Sequence, residues 1–136
     1  MSELKGFPFA PGTSRIWRIA PGSTNALCDP AATAGAGSAC TTYATGFTSV
    51  IDLAWGSSGT LYVLEIARKG VGALEAPSGG DPTGALFAVR DGHAVELAPG
   101  ALTAPGGVAP GADGRLFVTT GTVLGPKAGS VVSLDG

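Results

Sequence analysis

Apolar residues along this chain recur in short runs, alternating or continuous, each closed by a glycine-bearing turn. Arg15-Ile16-Trp17-Arg18-Ile19 alternates polar and apolar, as a half-buried strand does. Thr41-Thr42-Tyr43-Ala44-Thr45 is a second β-prone run, and residues 50–55 are apolar except for Asp52. The turn Gly56-Ser57-Ser58-Gly59 leads into 60–67, the strongest strand signal of the chain. Leu86-Phe87-Ala88-Val89 follows, then Asp91-Gly92, a hairpin signal, then a short alternating run over 94–98. Residues 106–110, the turn Gly111-Ala112-Asp113-Gly114, and runs over 115–119 and 130–134 complete the pattern. Helix formers occur over 67–76, but Gly70 and Gly72 interrupt them.

The pattern repeats. Leu53-Ala54-Trp55-Gly56-Ser57-Ser58-Gly59-Thr60-Leu61-Tyr62-Val63 matches Val108-Ala109-Pro110-Gly111-Ala112-Asp113-Gly114-Arg115-Leu116-Phe117-Val118 at an offset of 55. The runs starting at Ile16, Leu86 and Val131 share one template. A repeat of roughly 50 residues with four short strands is a β-propeller blade. With strands named A to D from the axis outward, the chain reads C, D, A, B, C, D, A, B, C. The expected fold is all-β, a β-propeller fragment in one domain. A partial blade with the cysteine loop spans 1–48, a complete four-stranded blade 49–98, and a partial last blade 99–136. Rings need about four to eight blades. The outer faces are therefore expected to expose apolar side chains such as Ile16, Ile19, Leu116 and Val118, and the chain to self-associate.

Composition narrows the function classes. With 23 Gly and 10 Pro, a helical bundle is excluded. A formal net charge of −2 and no basic stripe argue against a nucleic-acid partner. No apolar run is long enough for a transmembrane helix, and the first residues carry no signal-peptide core. Cys28 and Cys40 flank an Ala/Gly/Ser-rich loop and are expected to be bridged. A bridge implies an oxidising compartment, at odds with the missing export signal.

Taken together, Glu3-Leu4, Gly6-Phe7-Pro8-Phe9, Pro11-Gly12-Thr13, Arg15-Ile16-Trp17-Arg18, Gly46-Phe47-Thr48, Ile51-Asp52-Leu53-Ala54, Leu61-Tyr62-Val63-Leu64-Glu65-Ile66-Ala67, Gly80-Asp81-Pro82-Thr83-Gly84-Ala85-Leu86 and Ala104-Pro105-Gly106-Gly107-Val108 resemble the ScyD/ScyE family of β-propellers. The family is named after proteins encoded with scytonemin biosynthesis, and many members are exported with no assigned reaction. The resemblance implies a propeller more firmly than an activity, and an extracellular or periplasmic parent protein. Met1-Ser2-Glu3-Leu4 matches Val63-Leu64-Glu65-Ile66 at an offset of 62, so Met1 falls within a strand B. The expectation is a chain that lacks N-terminal blades and the export signal with them.

Strand direction assigns the chemistry to ends. The A–B turns lie at one end, the bottom. The long B–C loops, 68–83 and 120–128, lie at the top with the D–A connections 46–49 and 100–104. Asp52, Glu65 and Glu3 all fall near that top end. Such carboxylates can hold a divalent cation such as calcium through oxygen ligands, and equally can satisfy backbone amides or a nearby arginine. His93 sits in a bottom turn and is read as solvated. The serines form no nucleophile elbow, and Gly35-Ala36-Gly37 does not lead a strand into a helix. Trp17 and Trp55 are read as packing between blades, and Pro105-Gly106-Gly107 as a close backbone approach. The expected function is a binding scaffold that presents its top loops to a small molecule or protein. The alternatives are a metal-dependent, lactonase-like propeller hydrolase using the axial carboxylates, or a fragment without independent function.

Overall fold

The computed structural model describes residues 1–4, 9–31, 38–77 and 79–135. Gly6-Phe7-Pro8 of the family wording, Gly35-Ala36-Gly37 and Gly136 lie outside the described residues. The strands are β1 (Ser14–Ile19), β2 (Cys40–Phe47), β3 (Val50–Trp55), β4 (Leu61–Glu65), β5 (Ala85–Arg90), β6 (His93–Leu97), β7 (Gly107–Pro110), β8 (Arg115–Thr120) and β9 (Ser130–Asp135). The four-residue helix α1 (Val71–Leu74) lies in the loop between β4 and β5 and starts after Gly70, whose φ is 90°. The protein is all-β, and the described residues form three antiparallel sheets in the orders β1-β2, β3-β4-β5-β6 and β7-β8-β9.

The repeat seen in the residues is a repeat of register. Leu53 pairs with Val63 in the second sheet and Val108 with Val118 in the third. Leu64 pairs with Leu86, and Thr119 with Val131, in the same relation. The first sheet carries a remnant of this pattern. Ser2 bridges Ile16, the Glu3 amide donates to the Arg15 carbonyl, and the Trp17 amide donates to the Met1 carbonyl. Both turns between inner strands close identically. The Gly56 amide donates to the Thr60 carbonyl at 2.9 Å, and the Gly111 amide to the Arg115 carbonyl at 2.7 Å. Asp91 and Gly92, with φ of 49° and 80°, form the left-handed pair that a two-residue hairpin turn demands.

Side chains alternate across each sheet, so a strand of the middle sheet feeds two interfaces. Leu61 and Val63 of β4 join Ile16, Ala44, Phe47, Val50 and Val89 between the first and second sheets. Tyr62 and Leu64 of the same strand join Leu86, Leu102, Val108, Leu116 and Val118 between the second and third. Phe47 and Phe87 meet edge to face at 5.5 Å in the first interface. β4 is thus buried along its whole length. The expected exposure of Ile16, Leu116 and Val118 is incorrect: all three are buried within the chain's own interfaces. The alternation places them on the face turned toward the second sheet, and it is their neighbours of opposite parity that face outward. Of the four residues named, only Ile19 is exposed.

Close approach explains the Pro105-Gly106-Gly107 segment. A Cβ on Gly106 would collide with the Thr122 side chain, whereas one on Gly107 would make only ordinary contacts. Cys28 and Cys40 are bridged, with Cα atoms 5.2 Å apart and 12 positions apart in sequence. Cys40 is the buried first residue of β2, so the bridge ties the long loop after β1 to the start of the next strand. Closing a loop of that size removes unfolded-state entropy worth about 2–3 kcal/mol. The double variant Cys28→Ala/Cys40→Ala should have an unfolding free energy lower than that of the bridged wild type by that amount. Urea denaturation with and without reductant checks this, and the double variant should be insensitive to reductant.

Candidate functional site

One end of the stacked sheets carries the long loops, 66–84 and 120–130, and the connections from each outer strand to the next inner one. Backbone hydrogen bonds lace these segments together. The Arg68 amide donates to the Thr83 carbonyl, the Gly84 amide to Leu102, the Gly121 amide to Thr103 and the Thr122 amide to Ala104. Thr83 and Thr103 also form a β-bridge. The connecting loops repeat a strained feature, for Ser49 and Ala104 occupy equivalent places with φ of 48° and 39°. A left-handed conformation costs a non-glycine residue about 1–2 kcal/mol. The Ile66 amide holds the Ser49 carbonyl, and the Thr122 amide and hydroxyl hold that of Ala104.

The three carboxylates named from the sequence sit at this end or beside it, and each has a protein partner. Asp52 accepts from the Leu53 amide through Oδ1 and from the Val108 amide through Oδ2, both at 2.8 Å. It therefore joins the inner strands of the second and third sheets. Glu3 Oε2 accepts from Trp17 Nε1 at 3.1 Å and stands 3.8 Å from Arg15 Nη1. Glu65 ends β4 in a buried position, and its Oε1 accepts from the Thr48 amide at 2.6 Å. Among the described residues, no group of three or more His, Cys, Asp or Glu is placed to hold a metal ion. His93 is exposed at the opposite end, as the first residue of β6 after the Asp91-Gly92 turn.

Burial pushes the Glu65 carboxyl up to about 7. The Thr48 amide and the Arg68 guanidinium oppose that shift, and Glu96 adds to it. Arg68 is itself paired with Glu96, Nη2 to Oε2 at 2.9 Å. At the rim, the Asp81 carboxyl is held well below the usual range, first by the Thr83 hydroxyl and then by Lys69, whose ammonium lies 2.9 Å away. This pair and the Thr83 amide bond to Asp81 pin the end of the loop that carries α1.

The feature hidden from the sequence is a cleft of about 330 Å³ between the two long loops. Ile66, Val71, Leu74 and Glu75 line one side and Val123 and Leu124 the other. Val123 and Leu124 are exposed although aliphatic. Their signal in the sequence is slight: isolated aliphatic residues in glycine-rich loops, where strand periodicity says nothing. A second cleft, about 230 Å³, opens between the first and second sheets and includes Arg18, Tyr43 and Trp55. There Tyr43 lies 6.3 Å from Trp55, and the Arg18 guanidinium stands 4.9 Å over the Tyr43 ring. Trp17 is buried as expected, but Trp55 is exposed at the mouth of this cleft.

Comparison of the chain with protein-family models, curated proteins and solved structures finds no match.

Glu65 makes stability depend on pH. Its folded value lies above the unfolded 4.5, so its contribution is fully present below about 4.5 and is lost as pH rises through about 7. The loss is on the order of 3 kcal/mol. Glu65→Gln keeps an oxygen for the Thr48 amide and removes the titration. Thermal melts at pH 5 and pH 8 should show a wild-type decrease that is absent in E65Q.

Proposed function

We infer that the three sheets are consecutive blades of a β-propeller. The chain acts as a non-catalytic binding scaffold of the ScyD/ScyE kind. Its ligand is a small apolar molecule, taken up between the loops of the second and third sheets. The blade reading is supported by the repeated register, by face-to-face stacking, and by the return from each outer strand to the next inner one.

The observation that carries the binding reading is the cleft itself. Exposed aliphatic side chains on a free loop are a liability, whereas Val123 and Leu124 follow directly on Gly121 and Thr122, which are hydrogen-bonded into the adjoining connection. A pocket of apolar walls with few polar groups is the common form of a small-molecule site. Glu75 at the rim supplies one acceptor that orients a donor-bearing ligand. Asp52, Glu65 and Glu3 serve the framework in this reading, since each accepts hydrogen bonds that join segments of the fold. The Cys28–Cys40 bridge supports an extracellular or periplasmic setting.

A neutral apolar fluorophore such as Nile red should bind with a blue shift. Leu74→Asp and Leu124→Asp should each weaken it at least about tenfold, equivalent to 1.4 kcal/mol. Val131→Asp, outside the lining of the cleft, should leave it unchanged. Equal binding by all three variants would remove the cleft from the function.

A further inference from the structure

The repeat allows the interface of the first and second sheets to be compared, place by place, with that of the second and third. Leu53 and Leu61 in the first interface have Val108 and Leu116 as counterparts in the second, aliphatic in both. Three differences fall together near the Asp91-Gly92 turn. Trp55 stands where the third sheet has Pro110, and Arg18 stands where the second sheet has Ala88. Tyr43 is an extra residue. Ile16 pairs with Ala44 and Trp17 with Thr42, which leaves Tyr43 in a bulge, whereas Leu86 and Phe87 pair with the adjacent Leu97 and Glu96. Bulges bend a strand and re-aim a side chain.

All three residues line the aromatic cleft. Stacking two sheets does not require them, since the second interface is built without them. The Arg18 guanidinium lies over the Tyr43 ring, Tyr43 is tilted 59° to Trp55, and Trp55 is 63% exposed. Arg18 and Tyr43 also line an adjoining polar cleft of about 350 Å³, together with Thr41, Thr42, Asp91 and Gly92. The turn that carries Asp91 sits against β2, for a Cβ on Gly92 would come within 3.3 Å of the Tyr43 carbonyl. Among the described residues, neither Arg18 nor Asp91 has an ion-pair partner, and the hydroxyls of Thr41, Thr42 and Tyr43 make no hydrogen bond.

We propose that these adjoining clefts bind a neutral oligosaccharide. The face of an aromatic ring is negative and attracts the polarised C–H bonds of a sugar ring laid against it. Sugar hydroxyls donate and accept at once. They are matched by a wall that offers both functions: the N–H groups of Arg18, the carboxylate of Asp91 and the hydroxyls of Thr41 and Thr42. An aromatic anion would gain from Arg18 and be opposed by Asp91, and a cation the reverse, so the mixed charge favours an uncharged ligand rich in hydroxyls. An aromatic half beside a polar half suits a chain of sugar units better than a single ring. The site lies at the opposite end of the sheets from the apolar cleft and does not rest on the reading of that cleft.

Calorimetric titration of the full chain with cellotetraose, maltotetraose, mannotetraose and xylotetraose tests the proposal, with indole-3-acetate as an aromatic anion. At least one tetrasaccharide should bind at millimolar concentration or below. Trp55→Ala should weaken that binding about tenfold, and Trp55→Phe should restore most of it. Asn tolerates the left-handed backbone that Asp91 adopts at φ 49°, so Asp91→Asn keeps the turn. It should weaken the sugar and strengthen indole-3-acetate. Leu124→Asp should lose Nile red and leave the sugar unchanged, so the two sites fail separately. No binding of any of the four sugars at millimolar concentration would overturn the proposal. Equal sugar binding by wild type and Trp55→Ala would do the same, as would tighter binding of indole-3-acetate than of every sugar. Thermal melts establish that each variant is folded. Should Trp55→Ala melt early, Arg18→Gln asks the same question from the first sheet, and unchanged sugar binding by it overturns the proposal equally.

Discussion

The burial of β4 on both of its faces is the constraint on which the other features depend. A strand with one wet face can sit at the surface of any antiparallel sheet. A strand such as Leu61–Glu65, with every residue buried, needs a sheet on each side. The first sheet covers Leu61 and Val63, and the third covers Tyr62 and Leu64. Each fully buried aliphatic side chain contributes about 1.5–3 kcal/mol relative to exposure. That gain is available only if all three sheets stack in register. The first sheet, with two full strands and the short Met1–Glu3 addition, is held in place by the second as much as by its own ladder.

Stacking sheets face to face leaves the connections with a geometric task. Each chain segment must leave an outer strand and re-enter at the inner strand of the next sheet. Ser49 and Ala104 accept a left-handed backbone to do so, and hydrogen bonds from neighbouring loops hold them there. Asp52 then fastens two inner strands by taking the Val108 amide, and Glu65 fastens the first connection by taking the Thr48 amide. The second of these has a cost, because it holds a carboxylate where burial favours the neutral form. The framework is therefore tighter in mild acid than at neutral pH at this one point. The loops it fixes are the ones that form the apolar cleft.

What is buried in one sheet is exposed in another. Phe117 and Val131 of the third sheet share repeat positions with Tyr62 and Leu86 of the second, which are buried where the two sheets meet. Exposure here follows from the place of a sheet in the stack and not from the polarity of its residues. The aromatic cleft at Arg18, Tyr43 and Trp55 lies where the second sheet meets the first, which among the described residues has the two strands β1 and β2.

The sequence by itself determined the strands, the turns and the repeat. Period-two alternation, the Gly-bounded turns at 56–59 and 111–114, and Asp91-Gly92 are local signals, and local signals need no partner to be read. The pairing of Cys28 with Cys40 was equally legible, since few alternatives exist for two cysteines. Only the tertiary structure decided which parity faces which neighbour. Ile16, Leu116 and Val118 look like outward residues from the sequence and are buried, because alternation gives two faces without saying which one meets a sheet. It also decided the chemistry of the carboxylates. Asp52, Glu65 and Glu3 looked like a set, yet each takes a separate donor, and donors such as the Val108 and Thr48 amides are brought near only when the chain returns. The cleft depends on two loops far apart in sequence, so no pattern within either loop could have announced it.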